Sequence, residues 1–427
     1  MNGAREVTPH ERRPHLTALA CTLGIVLISR LAYWPDGLLG KDGSAYVNAL
    51  KLDETFNVPM PGNIGWVLLA RFFTMFTDPV NAFTLTAISV SLVGVVFLYL
   101  LCAMFLRPWM AAATTIAAAL SPLVWYHSVP AASYETWIAV PPAIAYFGLR
   151  YAHERRLGLL YAAAAATGIG TILRPDMVAF AGPLLAGFLI VSRAPIVRGW
   201  AACGMICAIC CLFWLLFTAE ILGGVGVYVE RVRAQSELIR TYSMARKGLL
   251  DGLVRNGGKY VIFYLLGAMF VTPLAAAGLA KLLRHWRSNA GVLLLGALAL
   301  APSMYFGTVL FMGNAGLVLP AVVVAFILGG WWLQAQFPAH SRRPVMLMGI
   351  VGALGAAQFV FVPMLPATNQ RNVILNSLLL GYSGSSIRRM YQYNPAEFGI
   401  DTSVRNAVRQ IRNPEPIPYF PPGFDGY

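Results

Sequence analysis

Eleven apolar stretches set the limits on what this chain can fold into. They lie near residues 16–34, 82–106, 109–127, 136–151, 158–174, 177–192, 200–222, 260–280, 289–311, 316–335 and 344–364. A hydrocarbon core of about 30 Å takes roughly 20 apolar residues as a helix. Within that core each backbone N–H and C=O needs a partner in its own segment, which a helix supplies and an open strand does not. The chain of 427 residues is 58% hydrophobic and 12% charged, about half the charged share of soluble domains, which is roughly 25%. The expected fold is an all-α polytopic membrane protein, a bundle of about eleven transmembrane helices.

The charges between the runs orient them. Arg12 and Arg13 precede the first, and thereafter every second connection is basic: Arg107, HERR at 153–156, SRAPIVRGW at 192–200, KLLRHWR at 281–287 and HSRR at 340–343. Basic connections stay in the cytoplasm. Residues 35–81, the 127–135 turn, Arg174-Pro175-Asp176, the 223–259 loop, the 312–315 turn and the tail from 365 therefore face outward. No A-x-A-like site closes the first run, which reads as an uncleaved signal anchor. The expected location is a bacterial cytoplasmic (inner) membrane, crossed many times. The formal charge of +14 belongs largely to cytoplasmic flanks that orient the chain and meet anionic lipid, not to a nucleic-acid surface. All six cysteines fall in apolar runs, so an outer disulfide framework is not expected, and CAICC at 207–211 reads as small buried thiols within a helix rather than as metal ligands.

One membrane domain, 1–364, is expected, followed by a Pro-rich extracytoplasmic tail, 365–427, read as an extended strap. Within the first outer loop, 35–81, GWVLLARFFTMF at 65–76 is too short to span and is broken by Arg71, which suits a helix lying at the interface. The 223–259 loop carries seven basic residues (Arg231, Arg233, Arg240, Arg246, Lys247, Arg255, Lys259) against three acidic ones (Glu230, Glu237, Asp251), leaving +4 on the outer side. It reads either as a solvated helix touching headgroups or as a site that attracts a phosphate-bearing substrate.

Candidate chemistry gathers on the outer side. Asp42 stands four residues before Tyr46, one helical turn away, and Asp53 and Glu54 follow. SPLVWYHSVPAASYETWIAV at 121–140 brings Trp125, Tyr126, His127, Tyr134 and Glu135 to the same surface; the aromatics serve equally as belt anchors. Glu135, at the mouth of an apolar helix, is costly unless it lines a cavity. In GIGTILRPDMVAF at 168–180, Arg174 and Asp176 form either a mutual ion pair in a proline-directed turn or, through Arg174, a phosphate holder. Arg30, near the outer end of the first run, either snorkels to the surface or joins Arg174 in an anion site.

Together these stretches resemble the GT-C superfamily of membrane glycosyltransferases, closest to the protein O-mannosyltransferase and aminoarabinose-transferase branch (glycosyltransferase family 39-like). The resemblance rests on Asp42 and Tyr46 in the first outer loop, Pro61-Gly62 leading into WVLLARFF, SPLVWYHSVPAASYE, GTILRPDMVAFAGPLL, and MGNAGLVLPAVVVAFILGG as a late helix start. It spans most of residues 15–335. Where the family has H-P-P-G-Y this chain has Pro59-Met60-Pro61-Gly62-Asn63, and the late helix start lacks an Arg-Tyr pair.

The resemblance implies transfer of a hexosyl or pentosyl group from a polyprenyl-phosphate donor to an extracytoplasmic acceptor (protein, lipid or cell-envelope glycan), with inversion. In that reading Asp42 is the general base and Arg174 the phosphate clamp. Glu135, Asp53 and Glu54 orient hydroxyls, and Tyr46 and Tyr134 position the substrates. A divalent metal ion shared by Asp42 and Glu135 is compatible with the pattern and not required by it. Two other classes remain open: a transporter or flippase of a lipid-linked or amphiphilic solute, marked by charges deep in the spans and paired broken helices, and a catalytically silent membrane subunit.

Overall fold

The computed structural model describes residues 9–35, 40–52, 60–129, 133–242, 248–310 and 315–361. Asp53, Glu54 and the tail from 365 lie outside these residues. Among the described residues there is no strand, and each of the eleven apolar stretches is helical.

The chain opens with α1 (Pro9–Leu31) and α2 (Gly40–Ala49). The short α3 (Ile64–Phe73) follows, in the place expected for an interfacial helix. It buries Ile64, Trp66, Val67 and Ala70 and leaves Arg71 and Phe72 exposed. Asp78 caps α4 (Pro79–Ala103) by accepting from the amides of Val80 and Asn81 at 3.0 and 3.1 Å. With Pro79 in the first turn this is a well-signalled helix start. The stretch 109–127 is two helices, α5 (Pro108–Ala119) and α6 (Pro122–His127). Pro122 holds Ser121 extended, at ψ 143°, and ends the run there.

Next come α7 (Thr136–Glu154), α8 (Leu157–Leu173), α9 (Met177–Val191) and α10 (Ala202–Ile221), the last entered through a π-helical turn, Ile196–Ala201. The basic 223–259 region is helical as well: α11 spans Val225–Tyr242, and α12 (Leu249–Ala268) starts inside it. The expected single span 260–280 is instead the end of α12 and the start of α13 (Thr272–Arg284), which meet at 105°. Pro273 in the first turn of α13 has no N–H to continue α12, which accounts for the break. The chain continues through α14 (Ala290–Met304), α15 (Leu319–Ala335) and α16 (Arg343–Phe361).

Six of these helices are long and apolar enough to cross a membrane, or seven if the bent pair counts as one span. The protein is thus an integral, multi-pass membrane protein. The apolar helices α8 and α9, with 17 and 15 residues, fall just under that length, near the roughly 17-residue lower end of a spanning helix.

The centre of the bundle is α4 against α7, and α7 against α8 and α9, with α5 joining α1, α4 and α16. Between helices in lipid, close approach of small residues replaces the hydrophobic drive. A side chain on Gly94 of α4 would start 3.1 Å from the Cα of Ala139 on α7, so the two backbones meet there. Hydroxyls inside the bundle turn back on their own helices: Thr86, Thr167 and Thr171 each donate to the carbonyl four residues earlier, at 2.9 to 3.0 Å. The six cysteines are free thiols.

Candidate active site

Helix α7 starts at one end of the bundle and α8 returns to that end, so Glu135 and Arg174 share it while Arg155 and Arg156 lie at the other. Here the 3₁₀ turn Ser133–Glu135, the end of α8, the residues before α3 and the middle of α2 meet. Asn63 donates to the hydroxyl of Tyr46 at 2.6 Å and to that of Ser133 at 3.0 Å. The Tyr46 and Ser133 hydroxyls lie 3.2 Å apart, and Arg174 Nη1 donates to Ser133 at 3.1 Å. All three polar partners are buried: Tyr46, Asn63 and Ser133. The loop before α3 is held from outside by Trp214 of α10, whose indole N–H donates to the Gly62 carbonyl at 2.8 Å.

Arg174 closes the cluster. Its Nε donates to both oxygens of Asp176, at 2.8 and 2.9 Å, and its guanidinium lies 4.1 Å from the centre of the Tyr134 ring. Its side chain is 13% exposed. Burial opposes the positive charge, but Asp176, with Tyr134 and Tyr46, more than restores it, so the pKa stands above the ordinary arginine value. The ion pair allowed by the sequence is therefore present. It holds the fork through Nε and leaves the rest of the guanidinium toward Ser133 and the cluster.

Glu135 is fully buried, and neither carboxylate oxygen has a hydrogen-bond partner among the described residues. Burial raises its pKa well above the usual carboxylate range; its own backbone amide and the charges of Arg30 and Arg174 pull the other way and lose. Such a carboxyl binds its proton more tightly in the folded chain than in the unfolded one. Its contribution to stability is fully present below the unfolded value of about 4.3 and is lost as pH rises toward the folded pKa. Glu135→Gln, which cannot ionise, is expected to raise the thermal midpoint, by a margin that widens with pH. Thermal unfolding of both proteins across pH 5 to about 9 measures it; a constant margin would contradict the assignment.

Arg30 is also fully buried and does not snorkel. Its Nη2 donates to the carbonyl of Ala119 at 2.8 Å and its Nη1 to Ser29 at 3.0 Å. Ala119 is the last residue of α5, where carbonyls lack helical partners and the helix dipole favours a cation. Trp125 and Tyr126 lie inside rather than at the interface, Trp125 stacking on Phe359 at 4.4 Å between ring centres. Asp42 falls in α2, one turn before Tyr46; its side chain is outside the described residues.

Three participants carry no charge or period that marks them in a sequence. Ser133 and Asn63 are small polar residues between elements, and Asn63 occupies the place where the expected pattern has tyrosine. Gly316 is the third: a side chain there would overlap the Tyr134 ring. Gly316→Ala is expected to displace that ring from Arg174 and to reduce activity by up to about 10²-fold, the scale of a misplaced positioning group, and to lower stability by about 1–3 kcal/mol as an overpacked site; activity and thermal unfolding of the purified variant measure the two.

No group of three or more His, Cys, Asp or Glu side chains that could hold a metal occurs among the described residues. Glu135 stands alone there and Asp176 is engaged by Arg174. The described donors do not by themselves make a metal centre.

Residues 61–217 match the family of dolichyl-phosphate-mannose-protein mannosyltransferases, a stretch that includes Asn63, Ser133, Glu135 and Arg174 and follows Asp42 and Tyr46. In structure the chain resembles apo ArnT from Cupriavidus metallidurans at TM-score 0.52 and 16% identity, covering 88% of this chain and 74% of that one. It resembles the apo oligosaccharyltransferase of Archaeoglobus fulgidus at TM-score 0.52 and 12% identity, covering 97% of this chain and 62% of that one. The chain thus spans less than two thirds of the archaeal enzyme's length. No curated protein matches it in sequence.

Proposed function

We propose that this chain, with its GT-C-like membrane fold, transfers a sugar from a polyprenyl-phosphate donor to an extracytoplasmic acceptor, at the cluster around Arg174. The observation that supports this most is the meeting of four separate stretches, around Tyr46, Asn63, Ser133–Glu135 and Arg174, in one buried hydrogen-bonded set. It stands at the bundle end that the charge alternation assigns to the outer face of a bacterial cytoplasmic membrane.

The reaction needs a base at the attacking hydroxyl and positive charge at the departing phosphate. Asp42 takes the acceptor's proton as its oxygen bonds the anomeric carbon. The bond from that carbon to the phosphate oxygen breaks on the opposite side, which inverts the centre, and polyprenyl phosphate leaves with the electron pair. Arg174 meets the charge that develops there, kept cationic and oriented by Asp176 and Ser133. Glu135 orients a sugar or acceptor hydroxyl, as do Asp53 and Glu54 from the first outer loop; Tyr46 and Tyr134 position the substrates.

A transporter would call for paired broken helices and charges spread through the spans. One bent pair, α12 and α13, is present among the described residues, while Glu135, Arg174 and Asp176 gather at one end. The test is a panel of radiolabelled polyprenyl-phosphate sugars offered to the purified protein in native lipid extract. Consumption of one donor with release of polyprenyl phosphate is the expected result. No consumption of any, with a control enzyme active and acceptors present, would put the transporter and silent-subunit readings ahead.

A further inference from the structure

At the far end of α8 from Arg174, about 25 Å away for a helix of 17 residues, lies a cavity of about 650 Å³. Tyr151, Arg155, Leu157, Ile196, Val197 and Arg198 line it. Its charge is one-sided. Arg155 and Arg198 are the charged residues of its lining; Arg150, Arg156 and Arg193 are close to them in sequence, and Glu154 is paired with Arg150 at 2.5 Å and with Arg156 at 3.9 Å.

The arginines here are placed by the backbone. Arg155 and Arg193 have φ of 56° and 50°, and among the described residues only Leu52 is another non-glycine with positive φ. Glycine would make either turn without strain; what arginine adds is its guanidinium. Arg155 ends α7, donates to the Ser192 carbonyl and lies 5.9 Å over the Tyr151 ring. The turn bearing Arg198 is tied down by Tyr161, whose hydroxyl donates to the Arg198 carbonyl at 2.9 Å.

The other wall is apolar and open. Ile196 and Val197 are 79% and 75% exposed, although they begin the apolar span Ile196–Ile221. The boundary between hydrocarbon and headgroups therefore passes through the cavity, with the Arg155 guanidinium, held on the Ser192 carbonyl, and the exposed Arg198 side chain on its polar side. Basic pockets between helices at this depth match the phosphate of an anionic lipid.

We propose that this cavity is a headgroup site for an anionic phospholipid, its phosphate held between Arg155 and Arg198 and its acyl chains lying along Ile196 and Val197. The site is separate from the cluster around Arg174, so the two readings fail independently.

The test is native mass spectrometry of the delipidated full chain, titrated with phosphatidylglycerol or phosphatidylcholine. Wild type is expected to retain phosphatidylglycerol preferentially. Arg155→Gln and Arg198→Gln should each weaken retention about fivefold, and the pair about 25-fold. Arg155→Lys with Arg198→Lys, which keeps the charge, should retain most of it, and Arg284→Gln, a basic change elsewhere, should retain all of it. Equal retention of the two lipids by wild type, unchanged retention by the double glutamine variant, or displacement of the lipid by inorganic phosphate at similar concentration would overturn the proposal.

Discussion

Asp42→Asn is expected to lower donor turnover by about 10²–10⁴-fold, the range a positioned general base contributes. Asparagine has nearly the size of aspartate and no capacity to take a proton from a hydroxyl. The buried residues described in α2 are Ala45, Tyr46, Val47 and Ala49, all of which the substitution leaves unchanged, so the variant should fold and bind donor as wild type does. The loss then falls in kcat with KM nearly kept, the pattern of an interaction made only in the transition state. Asp42→Glu keeps the carboxylate one methylene further out and should recover part of the rate. Steady-state release of polyprenyl phosphate reads all three proteins, and equal kcat in wild type and Asp42→Asn would remove Asp42 from the mechanism.

The second large effect is at Arg174. Arg174→Ala removes the cation at the leaving phosphate, worth about 10²–10³-fold by analogy with the loss of one oxyanion donor. It also strips Asp176 of its partner and Ser133 of a donor, so part of the loss could come from a half-buried carboxylate left uncompensated. Arg174→Ala combined with Asp176→Ala separates the two. If the phosphate contact matters, the double variant stays as inactive as the single one; if the uncompensated carboxylate matters, activity returns. Arg174→Lys should fall between, because lysine keeps the charge but cannot serve Asp176, Ser133 and a phosphate at once.

How far these residues could be read from the sequence depended on the kind of signal each leaves. Charge alternation alone put Glu135 and Arg174 at one end and Arg155 at the other, because the number of crossings between them is fixed by the apolar runs. The helical character of all eleven runs was equally plain. Where the runs break was not, since single prolines decide it: Ser121-Pro122 splits one run, and Pro273 turns another through 105°. Arg30 left its orientation undecided, because snorkelling and burial differ only in whether a free carbonyl such as that of Ala119 lies within reach. Asn63 and Ser133 show the limit most clearly. Each is an uncharged residue in a connection, and what makes it part of the cluster is contact across 17 and 70 positions of chain to Tyr46 and between themselves.

The proposed transfer depends first on binding of a lipid-linked phosphate at the cluster around Arg174. The most direct measurement is photocrosslinking with a polyprenyl phosphate carrying a photoreactive group beside the phosphate, followed by mapping of the labelled peptides. Adducts are expected in the stretches 42–63, 127–137 and 174–177, suppressed by unlabelled donor and by Arg174→Ala. Adducts confined to the peptides around Tyr151–Leu157 and Pro195–Arg198, at the other end of α8, or labelling indifferent to unlabelled donor, would contradict it.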